Sequence, residues 1–187
     1  MTLINKKIIY YNYKNKHSAN KAIEYLEIKK IIPLIPSFKL SSIVGHLIGD
    51  GNLSKDPYVG DFRFYGTKHK LEGIKKDVKI IFRIVPKNFY ARKGGYVLKY
   101  NNAIIARVLS LVGVPRGNKT NQSFHLPYWI ISGNKDLKKS FLCALCDDEL
   151  SSFNKDKKGY FYPLRLKFNK NEKLINSGIK FLEEIKQ

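Results

Sequence analysis

The sequence predicts an α+β protein of two unequal, pseudo-symmetric units, an αββαββα unit followed by a shortened αββα unit. Three observations carry this. Short stretches with period-two alternation lie between longer stretches with apolar residues at helical spacing. Glycine and proline punctuate the boundaries between them. An apolar run ending in an acid, residues 43–51 (Ile-Val-Gly-His-Leu-Ile-Gly-Asp-Gly), has a looser copy at 142–150 (Leu-Cys-Ala-Leu-Cys-Asp-Asp-Glu-Leu). From Asp50 to Glu149 the offset is 99 positions.

Residues 1–39 form a lysine- and isoleucine-rich basic extension. A helix is expected at 17–30, capped by Ser18, with Ala22, Ile23, Leu26 and Ile28 as its apolar positions; Pro33 and Pro36 then break the chain. This extension is either a DNA-contacting arm or a solvated leader. The first unit spans 40–115. Its opening helix, 41–49, has Ser41 or Ser42 as cap and Gly51 as stop. Strands follow at 52–58 and 61–67, where Phe62 and Phe64 alternate with Arg63 and Tyr65. A helix at 68–85 sets Leu71, Ile74, Val78, Ile81 and Phe82 on one face and stops at Pro86. Strands at 88–93 and 96–100 flank Gly94-Gly95, a hairpin signal. A helix at 102–112 ends at Gly113 and Pro115.

Residues 116–134 are a connector, with 126–130 (Leu-Pro-Tyr-Trp-Ile) as a docking segment. The second unit, 135–187, holds an apolar helix at 135–148 and a strand at 160–169. In that strand Tyr162, Leu164, Leu166 and Phe168 alternate with Arg165 and Lys167, and Pro163 places it at an edge or delays its start. A last helix at 171–186 turns Leu174, Ile175, Ile179, Leu182 and Ile185 inward. With 38 residues after Glu149, this unit is expected to lack the final hairpin and closing helix of the first.

Thirty-five Lys and Arg against 15 Asp and Glu give a formal net charge of +20, which favours a polyanionic partner, nucleic acid above a membrane surface. No apolar run reaches the roughly 18 residues that a spanning helix needs. The first residues lack the apolar core and cleavage site of a signal peptide, so the expected location is cytoplasmic. Cys143 and Cys146 are C-x-x-C spaced, but one such pair is half a structural zinc site and lies in an apolar helical run, where cysteine acts as a small hydrophobe.

On its two acid-ended motifs, and on the connector with Gly-Val-Pro-Arg-Gly-Asn-Lys-Thr and Leu-Pro-Tyr-Trp-Ile, the chain resembles the LAGLIDADG homing endonucleases, especially archaeal single-chain members with two motif copies. The resemblance covers residues 40–187. It implies two motif helices packed through small residues, Gly45 and Gly49 in one and Ala144 in the other. Their C-terminal ends would bring Asp50 and Glu149 together as catalytic acids and as ligands of Mg²⁺ or Mn²⁺. Asp147 and Asp148 compete with Glu149 for that place, and Leu150 stands where the motif has glycine. Lys68 and Lys170, each just past a strand, match positions where similar proteins border the active site with a lysine; the alternatives are a solvated lysine, or Lys70 and Lys173 in a slipped register. His46 is expected to be an accommodated core or rim histidine.

If Phe62 and Phe64 face the helices, Arg63 and Tyr65 face outward. By the same alternation Arg92, Lys99, Arg165 and Lys167 face outward too, giving a basic sheet surface for double-stranded DNA. The implied activity is site-specific, metal-dependent double-strand cleavage of the intron-homing type by a monomer, with a homodimer through the first motif helix as a variant. The rival is a decayed relative that binds DNA or RNA without cutting it, a maturase or regulator.

Overall fold

The computed structural model describes residues 1–119 and 122–149, together with position 176. Its elements are α1 (Lys6–Tyr11), α2 (Lys16–Ile28), α3 (Phe38–Ile48), β1 (Asn52–Leu53), β2 (Asp61–Gly66), α4 (Lys68–Phe82), β3 (Asn88–Arg92), β4 (Gly95–Asn101), α5 (Ala103–Leu111), α6 (Tyr128–Ile131) and α7 (Lys135–Glu149). The α+β class is observed, and the order from α3 to α5 is helix, two strands, helix, two strands, helix. The strand at 160–169, the helix at 171–186 apart from position 176, Leu150 and Lys173 lie outside the described residues.

The four strands form one antiparallel sheet in the order β1-β2-β4-β3. Phe62 sits opposite Tyr100 and Phe64 opposite Leu98, so one face of the central pair is aromatic and apolar. Phe62 and Tyr100 stack at 4.9 Å. Leu71, Ile74, Val78 and Phe82 of α4, and Ile105, Val108 and Leu109 of α5, are buried in the same core. The alternation in β2 thus placed its faces correctly. At the end of that hairpin Lys93-Gly94 makes the turn, with Gly94 at φ +87°, and β4 already begins at Gly95.

Several boundaries move for physical reasons. The α3 cap is Ser37, whose side chain accepts from Leu40 N–H, which starts the helix a turn earlier than Ser41 or Ser42 would. Ser41 is instead fully buried. The α2 cap is Asn15, not Ser18. The α4 helix stops at Phe82 because Arg83 adopts the left-handed conformation (φ 52°) that closes a helix, before Pro86 is reached. Strand β1 is only two residues long, since after the Ser54 N–H bond to Asp61 O at 2.9 Å residues 55–60 leave the ladder as a loop that returns as β2.

Residues 1–39 are not a solvated leader. Ile4, Ile9, Ala22, Leu26, Ile31 and Leu34 are buried in the same core as the sheet and helices. Leu3 N–H donates to Leu34 O at 2.8 Å, and Leu34 N–H returns to Ile4 O at 2.9 Å. Asn102, the α5 cap, donates its side-chain N–H to the Tyr25 hydroxyl at 2.8 Å, tying α2 to the end of the sheet. The docking segment forms α6, where Trp129 is buried and its indole N–H donates to Val112 O at 2.8 Å. No helix among the described residues is long and apolar enough to cross a membrane.

Candidate functional site

Helices α3 and α7 lie parallel and in contact along their length. At their N-terminal ends two side-chain bonds cross the seam: Ser41 Oγ donates to Leu137 O at 2.8 Å, and Ser140 Oγ to Phe38 O at 2.7 Å. Adding 99 to Ser41 gives Ser140, and adding it to Phe38 gives Leu137, so the two bonds are copies related by the motif offset. Midway, Gly45 meets Ala144 at the same offset. A Cβ on Gly45 would come within 2.8 Å of Phe141 O and 2.9 Å of the Ala144 Cβ. At the C-terminal ends a Cβ on Gly49 would fall within 2.6 Å of an Asp148 carboxylate oxygen. Gly45, Gly49 and Ala144 therefore stand together at the helix seam, where small side chains permit the approach.

The seam delivers the C-terminal ends of two helices, with their partial negative charge, to one place. Asp50 follows the end of α3. Its backbone N–H donates to Asp148 Oδ2 at 3.3 Å. Burial, and then the Asp148 charge, push the Asp50 carboxyl above its usual range against the opposing pull of Lys70, Lys119 and Arg92. Asp148 is almost wholly enclosed, its side chain 1% exposed. The Lys70 ammonium donates to its Oδ1. His46 Nδ1 lies 3.3 Å from both of its oxygens. Lys119, from the connector, turns its ammonium onto Leu47 O at 3.0 Å, Ile48 O at 2.9 Å and Gly49 O, and so satisfies the last carbonyls of α3.

Among the described side chains the carboxylate facing Asp50 is thus Asp148. Glu149 is the last residue of α7, and its side chain lies outside the described residues. The lysine at the acids is Lys70, the slipped-register alternative. Lys68 opens α4 as an exposed residue. Thr67 caps α4, so Lys70, three residues on, is the first lysine whose stem points back over Gly66 toward α7. His46 is 7% exposed, a buried histidine with a carboxylate partner. Sequence pattern gave no sign of Lys119, since a lysine in a polar connector carries no periodicity. Nor did it pair His46 with Asp148, since the two stand 102 positions apart. Lys170, Arg165 and Lys167 lie outside the described residues.

On the sheet face away from the core, Arg63 and Lys99 sit opposite each other and share Asp61: Nη2 of Arg63 is 3.1 Å and Nζ of Lys99 2.7 Å from its Oδ2. Burial alone would raise the Asp61 carboxyl, but the bonds from Lys99 and Arg63 prevail and hold it below its usual range. The Arg92 guanidinium lies 4.5 Å from the centre of the Tyr65 ring. The four outward residues expected of this unit therefore share a face, but Arg63 and Lys99 are fixed by an acid rather than free. Cys143 is exposed and Cys146 half-buried, both as thiols, with the Cys146 thiol raised by burial, then by Cys143 and Asp147.

No protein-family profile matches the chain. It is similar to segments of longer proteins. The chain is 30% identical over 189 residues to the DNA-directed RNA polymerase subunit Rpo1N of Methanocaldococcus jannaschii, covering 90% of this chain and 14% of that protein. It is 35% identical over 114 residues to the replication factor C small subunit of the same organism, covering 55% of this chain and 6% of that protein. With the tRNA-splicing ligase RtcB of Pyrococcus furiosus the identity is 28% over 144 residues, 66% of this chain and 15% of that one. The chain thus spans less than a fifth of each of these three relatives.

Proposed function

We propose that the chain is a site-specific, double-stranded DNA endonuclease of the homing type, with the LAGLIDADG fold. The observation that carries this is the α3–α7 seam: two copies of one motif, bonded reciprocally at an offset of 99, with their acid-bearing ends side by side. The outward basic residues Arg63, Arg92 and Lys99, and the net charge of +20, suit a polyanionic duplex. The comparisons lend support of a different kind. One segment recurs within proteins bearing three different names, covering 6% to 15% of each, so it is not what distinguishes a polymerase subunit from a ligase. A self-contained insert fits that distribution.

In this scheme Asp50 and Glu149 are the catalytic acids. Carboxylate oxygens are the hard donors that Mg²⁺ or Mn²⁺ takes, and a divalent cation would favour the ionised Asp50 carboxyl against the burial and the Asp148 charge that raise it. When bound, the ion would activate water and stabilise the leaving oxygen of the phosphodiester. Asp148, held by His46 and Lys70, orients the Asp50 main chain, and Lys70 places a positive charge beside the acids.

The test is cleavage of a plasmid library of random inserts by purified protein in Mg²⁺. Asp50→Asn is expected to abolish cutting by at least about a hundredfold, and to leave binding unchanged, since it removes a charge from the scissile position alone. Tight, salt-sensitive binding without cleavage in Mg²⁺ or Mn²⁺ would sink the enzymatic claim. It would favour the second reading, a relative that binds nucleic acid without cutting it.

A further inference from the structure

A cleft of about 590 Å³ lies away from the motif helices, between the α1–α2 turn, the tip of the β1–β2 loop and the outer side of α5. Its lining includes Tyr13, Lys14, Tyr58, Ile104, Arg107 and Arg116, and no carboxylate side chain. The volume is that of a small-ligand site. Two of its cations are fixed by the fold. Arg107 donates to Asn12 O at 3.0 Å and lies 4.1 Å from the centre of the Tyr13 ring. Arg116 donates to Ser54 O at 3.1 Å and Ala106 O at 3.0 Å, which fastens the β1–β2 loop to α5. Carbonyls and a ring orient these guanidinium groups without neutralising them. Burial, and then the charge of Arg107, lower the Arg116 pKa against the weaker opposing pull of Asp56, so the two cations feel each other across the cleft. Asp56, on the neighbouring loop, is turned to accept from Tyr58 N–H at 2.8 Å. Lys14 is exposed and Tyr58 is 72% exposed.

We infer that this cleft is a second nucleic-acid contact, which takes a nucleoside phosphate of a bound strand with the phosphate between Lys14 and Arg107 and the base against Tyr58 and Ile104. It rests on the nucleic-acid-binding part of the proposed function and not on cleavage. An anion relieves the repulsion between fixed guanidinium groups, and an exposed tyrosine beside an aliphatic floor offers a stacking platform that any base can use. The same chemistry could come from a free nucleotide. A strand is favoured because the cleft is open at its rim and belongs to a chain of charge +20.

The experiment is fluorescence anisotropy of a labelled random-sequence DNA, across a salt series, with wild type, Lys14→Glu, Tyr58→Ala and Lys76→Glu. Lys76 is exposed on α4 and carries the same charge change at another place. Lys14→Glu should weaken binding about tenfold and flatten the salt slope by about one, while Lys76→Glu changes affinity less than about twofold. Tyr58→Ala should lose about tenfold with the salt slope unchanged. All three positions are exposed, so folding is expected to be intact and is checked by thermal melting. Equal effects of Lys14→Glu and Lys76→Glu would mean a general field and overturn the cleft; so would no effect of either. Binding of dAMP that outcompetes the DNA would make the ligand a free nucleotide and overturn the strand contact. A wild type that binds no DNA overturns both this inference and the proposed function, whereas binding without cleavage overturns only the latter's chemistry.

Discussion

Replacing Gly45 by alanine sets two effects against each other, and the structure decides which prevails. In a helix interior alanine is better than glycine by about 1 kcal/mol. Gly73 in α4 shows that effect alone, because a Cβ there meets nothing within 4 Å. Gly73→Ala should therefore stabilise the protein by about 0.5–1 kcal/mol. At Gly45 the same methyl lands 2.8 Å from Phe141 O and 2.9 Å from the Ala144 Cβ, where ordinary contact begins at 3.4 Å. One of those neighbours is backbone, so α7 itself must retreat by about half an ångström, at a cost of about 1–3 kcal/mol. The two variants should differ by about 2 kcal/mol, which for a chain of this length is about 4–8 °C in Tm. Urea and thermal unfolding of both, beside wild type, measure it. Gly45→Ala/Ala144→Gly should recover part of the loss, because it removes one of the two contacts and leaves Phe141 O. If Gly45→Ala stabilises as much as Gly73→Ala, the helices do not approach as described and the close seam is refuted.

Other expectations concern the charges around that seam. Lys70→Met leaves the enclosed Asp148 carboxylate without its ammonium and should cost about 3 kcal/mol; with Asp148→Asn in a double-mutant cycle the coupling should be about 1–3 kcal/mol, and strict additivity would show the pair to be idle. Lys119→Met should destabilise by about 1–2 kcal/mol in urea, since three carbonyls at the α3 terminus lose their donor. Asp61 is a depressed carboxyl, so its contribution is present above the unfolded value of about 4 and is lost as pH falls through the lower folded value; Asp61→Asn should lower Tm at neutral pH and flatten its fall on acidification. Asp50 is a raised carboxyl crowded by Asp148, so Asp50→Asn should melt no lower than wild type while cutting is lost.

Much of the fold could be read from local pattern because local physics sets it. Phe62 and Phe64 fixed the inner face of β2, Gly94 marked the hairpin, and Leu71, Ile74, Val78 and Phe82 marked the buried side of α4. Gly45, Gly49 and Ala144 marked the seam, because close approach leaves a residue-size signature. What pattern could not supply was partnership between distant segments. Ile4 and Leu34 read as part of a basic extension, arm or leader, until their backbones pair. The caps Ser37 and Asn15 were displaced from Ser41 and Ser18 because several residues in each stretch can cap, and tertiary packing chooses among them. At the acids, a shift of two positions along α4 puts Lys70 rather than Lys68 beside Asp148, and periodicity alone does not resolve so small a shift. Lys119 reaches α3 from 70 positions away, a relation that no local signal encodes.

The pairing of His46 with Asp148 carries a consequence for self-recognition. Ser41 and Ser140, and likewise Gly45 and Ala144, are seam positions where the two helices exchange like for like. At His46 and Asp148 they do not. Moved by 99, His46 becomes Leu145 and Asp148 becomes Gly49, so the imidazole–carboxylate contact exists only when the first helix meets the second. Two first helices from separate molecules would leave each buried imidazole facing a glycine; two second helices would press each carboxylate against a leucine. Burying a polar group without its partner costs about 1–3 kcal/mol, and a symmetric pair would incur that twice. A seam built from a repeat would otherwise accept a second copy of either helix, and this mismatch of residues is expected to favour, like an address, the partner helix of the same chain.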